Sequence, residues 1–150
     1  MQSCFSEQLQ PVELQPDRPL TVLIVEDDAT LCNALTLSLG HQGFDTIAVQ
    51  SGRQAIEVAR KSRPAVILLD LHLPDADGLD VCQQLVDDAQ TCVIPVIVVS
   101  GSDKSDILRR CRAAGCHYYL RKPYDPNALL ALIRLAIDEA RKADDAEFGE

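Results

Sequence analysis

Short apolar runs recur along the chain, and each of four of them is followed directly by polar residues. These runs occupy residues 21–25, 65–69, 94–99 and 117–120. The residues that follow them are Glu26-Asp27-Asp28, Asp70, Ser100-Gly101 and Arg121-Lys122-Pro123. Three of the predicted strands are apolar nearly throughout, as is typical of strands that are buried on both faces of a parallel sheet. The pattern therefore predicts buried strands whose ends carry the reactive side chains.

Segments with helical periodicity separate these runs. Residues 29–41 place leucines at positions 31, 35 and 39, which predicts a first helix, and Gly43 suits a helix stop. A second strand over residues 44–49 precedes a helix that Ser51 can cap. Further helices are predicted after Gly78, from about residue 103 to 114, and after Asp125-Pro126, a strong helix start.

Strand and helix therefore alternate five times, which predicts an α/β fold with a doubly wound parallel sheet and helices on both sides. In such open sheets, ligands bind beyond the carboxyl ends of the strands. The polar residues at the strand ends should then lie together. Residues 19–140 are predicted to form this domain, with a flexible N-terminal extension over residues 1–18 and a flexible tail over residues 141–150.

Composition narrows the classes of partner. The net charge of −9 disfavours direct binding to nucleic acid or to anionic membrane surfaces. The chain shows neither a signal peptide nor an apolar stretch long enough to span a bilayer, which favours a cytoplasmic protein. The six cysteines form no metal-binding or redox motif and are expected to be reduced, structural thiols.

The strand-end residues have a coherent chemistry. Glu26, Asp27 and Asp70 would place three carboxylates together, and hard oxygen ligands favour Mg²⁺ or Mn²⁺ over zinc. A carboxylate can also act as a nucleophile and form an aspartyl-phosphate. The ammonium group of Lys122 and the hydroxyl group of Ser100 would then contact phosphoryl oxygens. The sequence therefore predicts a phosphoryl-accepting site around Asp70.

Four motifs together make the chain resemble a response-regulator receiver domain of two-component phosphorelay signalling. They are Val-Glu-Asp-Asp at 25–28, Leu-Leu-Asp-Leu-His-Leu-Pro-Asp-Ala-Asp-Gly at 68–78, Val-Val-Ser-Gly at 98–101 and Gly-Cys-His-Tyr-Tyr-Leu-Arg-Lys-Pro-Tyr at 115–124. The resemblance covers roughly residues 19–140. It implies a flavodoxin-like sheet with strand order 2-1-3-4-5 and five helices.

The resemblance also implies a role for each matching residue. Asp70 is the phosphoacceptor, and Lys122 contacts the phosphoryl group. The peptide bond between Lys122 and Pro123 is expected to be cis. The magnesium ion would be bound by Asp27, by Asp70 and by the backbone carbonyl group of His72. Glu26 would contact it mainly through water. Ser100 is the switch hydroxyl, and Tyr119 is the switch aromatic residue that turns inward when Ser100 moves. The His72 imidazole is not required for the metal but could affect acyl-phosphate hydrolysis, whereas His41 and His117 are interpreted as surface or helix-end residues.

The implied function is that of a signalling domain, not an enzyme, which assists its own phosphorylation and dephosphorylation. A histidine kinase or a histidine phosphotransfer protein would be the donor. The output surface would comprise the fourth helix, the fifth strand and the fifth helix, where Arg109, Arg110 and Arg112 could bind an acidic protein. A phosphorylation-dependent homodimer is also open, although His117 and Tyr118 replace two acids that join dimer salt bridges in many DNA-binding relatives. The chain would be a stand-alone receiver or part of a longer protein.

Two alternatives remain from the sequence. The first is an aspartyl-phosphate phosphohydrolase of the haloacid dehalogenase type, which needs a second aspartate where this chain has His72. The second is a pseudo-receiver, an interaction module that no longer takes phosphate. The complete set of strand-end residues argues against it.

Overall fold

The computed structural model describes residues 20–102 and 104–148, with side chains described as far as residue 144. The five strands are β1 (Thr21–Val25), β2 (Asp45–Val49), β3 (Val66–Asp70), β4 (Val96–Ser100) and β5 (Tyr118–Arg121). The five helices are α1 (Ala29–His41), α2 (Gly52–Ser62), α3 (Gly78–Asp87), α4 (Ile107–Ala113) and α5 (Pro126–Phe148).

The strands form one parallel sheet in the order β2-β1-β3-β4-β5. This order confirms the doubly wound architecture predicted from the alternating pattern. Each residue of β3 and β4 is buried, because helices cover both faces of the sheet centre. The carboxyl ends of β1, β3, β4 and β5 lie side by side, and they carry the polar residues singled out above.

Side chains that alternate along the strands divide the core into two apolar layers. Leu23, Ile67 and Val98 face the layer that packs against α2, α3 and α4. Val22 and Leu68 face the opposite layer, which packs against α1 and α5. Because successive side chains of a strand point to opposite faces of the sheet, each strand contributes residues to both layers.

Side chains cap the starts of α1, α2 and α3, whereas α4 has no side-chain cap. Asp28 accepts hydrogen bonds from the backbone N–H groups of Thr30 at 3.0 Å and Leu31 at 3.3 Å, which fixes the start of α1 directly after the acidic run. Ser51 caps α2 by accepting from Gln54 N, as the sequence predicts. The predicted start of α5 at Asp125-Pro126 is also confirmed.

Two predicted boundaries differ from the structure. The last helix continues to Phe148, so the expected flexible tail over residues 141–150 is helical as far as that residue. Helix-forming residues fill this stretch, and Lys142 pairs with Asp138 at 3.4 Å across one turn. Helix α4 begins at Ile107 rather than near residue 103, and Asp103 itself lies outside the described residues. The predicted N-terminal extension, residues 1–18, also lies outside them.

The described cysteines are free thiols, and most are core residues. Burial raises the pKa of Cys82 and of Cys116 to about 12, so both thiols stay protonated at neutral pH. A protonated, buried thiol is a poor nucleophile and metal ligand.

Within the described residues, none of the helices has an apolar stretch long enough to cross a bilayer.

Candidate functional site

Three carboxylates from two strand ends converge at the carboxyl edge of the sheet. Glu26, Asp27 and Asp70 each place one carboxylate oxygen atom within 4.8 Å of those of the other two. Glu26 and Asp70 are only 5% and 6% exposed, whereas Asp27 faces solvent. The predicted acidic cluster is therefore assembled by the parallel pairing of β1 with β3.

Lys122 lies across this cluster from the end of β5. Its Nζ atom donates to Glu26 Oε1 at 3.0 Å and to Asp70 Oδ2 at 3.2 Å. Lys122-Pro123 is a cis peptide bond, as predicted. Burial acts to lower the pKa of Lys122, but the two carboxylates outweigh it and raise that pKa above its usual value. The ammonium group is therefore charged at neutral pH and bridges the two buried acids.

The site opposes the ionisation of Glu26. Burial and the adjacent Asp70 carboxylate raise the pKa of Glu26 to about 7, although the hydrogen bond from Lys122 acts in the opposite direction. Among the described residues, Lys122 is the one cation that contacts the two buried carboxylates, and Asp27 beside them is exposed. The site has more negative charge than its own residues neutralise.

This excess charge predicts an unusual pH dependence of stability in the absence of divalent metal. The pKa of Glu26 is higher in the folded state than the ordinary value of 4.5, so its contribution to stability is fully present below pH 4.5 and is lost as the pH rises through about 7. Glu26→Gln mimics the protonated form. We expect this variant to match the wild-type free energy of unfolding near pH 4 and to exceed it at pH 8, when both are measured by urea unfolding with a chelator present. Equal stability of the two proteins at both pH values would contradict the shifted pKa.

The donor set suits a hard divalent cation. The three clustered side chains offer only carboxylate oxygen atoms, the ligand type that Mg²⁺ and Mn²⁺ prefer. His72 lies next to the cluster, because its backbone N–H group donates to Asp70 Oδ1 at 3.0 Å. Its exposed imidazole ring is not needed for that contact. A divalent cation would also offset the negative charge of the clustered carboxylates.

The loop after β3 fixes the orientation of Asp70. His72 forms an isolated antiparallel bridge with Asp77, and Asp77 caps α3 by accepting from Leu79 N at 2.9 Å. The N–H group of Gly78 donates to the carbonyl oxygen of Leu71 at 3.0 Å. Helix α3 therefore starts directly against the residues that follow the phosphoacceptor candidate.

Ser100 and Tyr119 meet at a residue that the sequence did not single out. The hydroxyl group of the fully buried Ser100 accepts from the N–H group of Ser102 at 3.0 Å. The Tyr119 hydroxyl group donates to the carbonyl oxygen of Ser102 at 3.4 Å. Both contacts involve backbone groups of Ser102, and the one to Tyr119 joins distant positions of the chain. A sequence pattern reveals neither of them. Ser102 links the two predicted switch residues.

His117 is exposed, as the sequence predicts, but its ring also has a backbone partner. Its Nδ1 atom accepts a hydrogen bond from the backbone N–H group of Val96 at 3.1 Å, which holds the ring at the start of β4. Burial lowers the pKa of His117 below its usual value, in agreement with a neutral ring that accepts. The ring therefore acts as a structural partner of the β4–β5 pair.

Comparison with known proteins agrees with these features. The sequence model of the response regulator receiver domain family matches residues 22–134. The DNA-binding response regulator MtrA of Mycolicibacterium paratuberculosis is 36% identical over 125 residues, which cover 83% of this chain and 52% of that protein. This chain therefore spans about half the length of the MtrA proteins it matches.

Two further matches cover nearly the whole of the protein compared. The polar-differentiation response regulator DivK of Brucella anthropi is 33% identical over 81% of this chain and 99% of its own length. The receiver domain of a sensor histidine kinase from Pseudomonas aeruginosa PAO1, whose crystal structure has a magnesium ion coordinated in the active site cleft, superposes with a TM-score of 0.73 at 25% identity, over 79% of this chain and 98% of that one. Together with the acidic cluster at the sheet edge and the parallel five-stranded sheet, these matches show that the chain belongs to the response-regulator receiver domain family.

Proposed function

We propose that this receiver accepts a phosphoryl group on Asp70 from a histidine kinase or a histidine phosphotransfer protein, and that it controls a protein partner through the state of Asp70. The observation that carries this proposal is the position of Lys122, whose Nζ atom contacts both buried carboxylates at 3.0 and 3.2 Å. A lysine in this position can contact the Asp70 carboxylate before phosphorylation and a phosphoryl oxygen atom after it.

The reaction is a transfer between two protein side chains. An Asp70 carboxylate oxygen attacks the phosphorus atom of the donor's phosphohistidine, the new O–P bond forms, and the N–P bond breaks. The departing imidazole nitrogen takes the electron pair and then a proton. Lys122 donates to one phosphoryl oxygen, and Ser100 donates to another. Glu26, Asp27, Asp70 and the carbonyl group of His72 would hold Mg²⁺ or Mn²⁺, which supplies neutralisation of the phosphoryl charge when it is bound.

The switch is proposed to run through Ser102. If the Ser100 hydroxyl group turns toward a phosphoryl oxygen, it gives up the hydrogen bond from Ser102 N that it accepts at 3.0 Å. The loop at residue 102 can then move, and with it the carbonyl group that holds the Tyr119 hydroxyl. Two packings of this loop in equilibrium, with the phosphoryl group favouring one, are sufficient for a population shift.

The donor is proposed to dock beside Lys122, on an apolar groove between α1 and α5. This groove has a volume of about 720 Å³, and its lining includes Leu31, Leu35, Pro123 and Leu130. An amphipathic helix of the donor protein would fill such a groove with its apolar face. A histidine on that helix would then reach the open edge of the site.

The output surface is proposed to comprise α4, β5 and α5. Arg109, Arg110 and Arg112 are exposed on α4, in a chain whose net charge is −9. Such a basic patch suits an acidic protein surface or a second, phosphorylated copy of the chain. The overall negative charge argues against direct binding to nucleic acid.

The alternatives have less support. A phosphohydrolase of the haloacid dehalogenase type would need a carboxylate at residue 72 as the acid and base, and the imidazole of His72 stands there, exposed. A pseudo-receiver would not need the buried arrangement of Glu26, Asp70 and Lys122, because burying charges without a function is costly.

Beryllofluoride, a stable mimic of the phosphoryl group, tests the proposal. With Mg²⁺ present, we expect it to shift the backbone amide NMR signals of Ser100, Ser102 and Tyr119 in the wild-type protein. The Asp70→Asn variant, which lacks the nucleophilic oxygen, should show no such shift. If the wild-type signals stay in place at saturating reagent, the protein is a pseudo-receiver instead.

A further inference from the structure

We infer that Asp75 is a positioning residue for the metal site, because it ties the loop that contains His72 to the helix that follows β2. This inference rests on the proposed function, since it concerns the same divalent cation. Asp75 lies five residues after Asp70, on the exposed part of the loop between β3 and α3. It contributes no atom to the acidic cluster itself.

The carboxylate of Asp75 caps a helix that belongs to another part of the chain. Its Oδ1 atom accepts from Gly52 N at 2.8 Å, and its Oδ2 atom accepts from Arg53 N at 3.2 Å. Both donors lie in the first turn of α2, where backbone N–H groups lack partners within the helix. The two hydrogen bonds lower the pKa of Asp75 below its usual value, so it is ionised at neutral pH and complements the positive end of the helix.

Close packing accompanies these hydrogen bonds. A Cβ atom at Gly52 would lie 2.7 Å from Val81 Cγ2 and 3.2 Å from Ala76 Cβ. The start of α2 therefore lies directly against the loop and α3, and a side chain at Gly52 would require Val81 to shift. The Asp75 contact is thus part of a fixed junction between two chain segments that are 23 residues apart.

This junction completes a path of contacts between the two segments that would hold the cation. On one side, Glu26 N donates to the carbonyl oxygen of Val49 at 3.0 Å, which joins the acidic run after β1 to the end of β2. The chain then reaches Gly52 and, through Asp75, the loop between β3 and α3. On the other side, His72 N donates to Asp70 Oδ1. Asp75 therefore links the segment that carries Glu26 and Asp27 to the segment that carries Asp70 and His72.

Asp88 provides a matched control for this role. It also accepts a backbone N–H group, from Gln90 at 2.8 Å, and it pairs with Arg60 at 2.6 Å. Those hydrogen bonds lower its pKa as well. It stands after the end of α3, remote from the acidic cluster, so like Asp75 it is a carboxylate that accepts from a backbone N–H group, but it does not link the two segments.

The test is a titration with Mn²⁺, read by the loss of the free-ion EPR signal, together with urea unfolding in the absence of metal. We expect Asp75→Ala to weaken Mn²⁺ binding by about tenfold, the lower end of the effect of lost partners around a metal site. Asp88→Ala should lower the urea midpoint but leave the affinity for Mn²⁺ unchanged. Asp75→Asn retains one oxygen acceptor for Gly52 N and should recover most of the affinity.

The outcomes separate this inference from the proposed function. Wild-type affinity in both folded Asp75 variants would overturn the role of Asp75 and leave the metal site intact. An equal loss of affinity in Asp88→Ala would overturn it too, because the effect would then follow general stability. Failure of the wild-type protein to bind Mn²⁺ would overturn the metal site and, with it, this inference.

Discussion

Lys122→Met is expected to slow the phosphorylation of Asp70 by a factor of about 100 or more, the size of effect that follows loss of one aligned donor to a developing anion. Methionine keeps much of the volume of lysine but removes the only cation that contacts both Glu26 and Asp70 within the described residues. Negative charge on the transferred phosphoryl group would then lack this partner. The initial rate of phosphorylation with acetyl phosphate and Mg²⁺ measures the effect.

A lysine elsewhere controls for loss of charge alone. Lys61→Met makes the same change on the exposed face of α2 and should leave the rate unchanged. Lys122→Met should also be less stable than the wild-type protein at neutral pH, because it leaves buried carboxylates unpaired. A rate for Lys122→Met close to that of Lys61→Met would contradict the proposed role of Lys122.

Gly78→Ala is expected to destabilise the protein by about 3 kcal/mol or more, at the upper end of the range for overpacking. A Cβ atom at this position would lie 2.5 Å from Leu71 Cα and 2.7 Å from the carbonyl oxygen of Asp70. Both are backbone atoms, so relief requires β3 or α3 to move. Any such movement displaces Asp70, and we therefore expect the variant to lose phosphorylation as well as stability.

Gly40→Ala is the matched control for that prediction. Gly40 lies in α1, and a Cβ atom there would meet no other atom within 4 Å. Alanine favours a helix over glycine by about 0.5–1 kcal/mol, so this variant should be slightly more stable than the wild-type protein. Equal urea midpoints for the two variants would contradict the close approach at Gly78.

The order of the elements and the residues of the central site were predictable from the sequence. Each strand end is marked by an abrupt change from apolar to polar residues, and parallel pairing brings those ends to one edge. Glu26, Asp27, Asp70 and Lys122 therefore come together through the topology alone. The structure assembles them as predicted, with Lys122 bound to both Glu26 and Asp70.

The contacts between distant segments could not be predicted in the same way. In the sequence, Asp75 does not differ from other acidic loop residues, and its partner Gly52 lies 23 residues away. Ser102 acts through its backbone groups, which carry no sequence signal, and His117 accepts from a backbone N–H group 21 residues away. The length of α5 was missed for another reason: a charged C-terminal stretch suits an exposed helix as well as a flexible tail.

Phosphorylation at a defined residue tests the account most directly. The protein is incubated with acetyl phosphate, with Mg²⁺ or with a chelator, and the acyl phosphate is then reduced with borohydride and located by peptide mass spectrometry. We predict one modified residue, Asp70, in the sample with Mg²⁺, and none in the chelated sample or in Asp70→Asn. Modification of Asp70→Asn to the same extent as the wild-type protein, or an unmodified wild-type protein with Mg²⁺ present, would contradict the account.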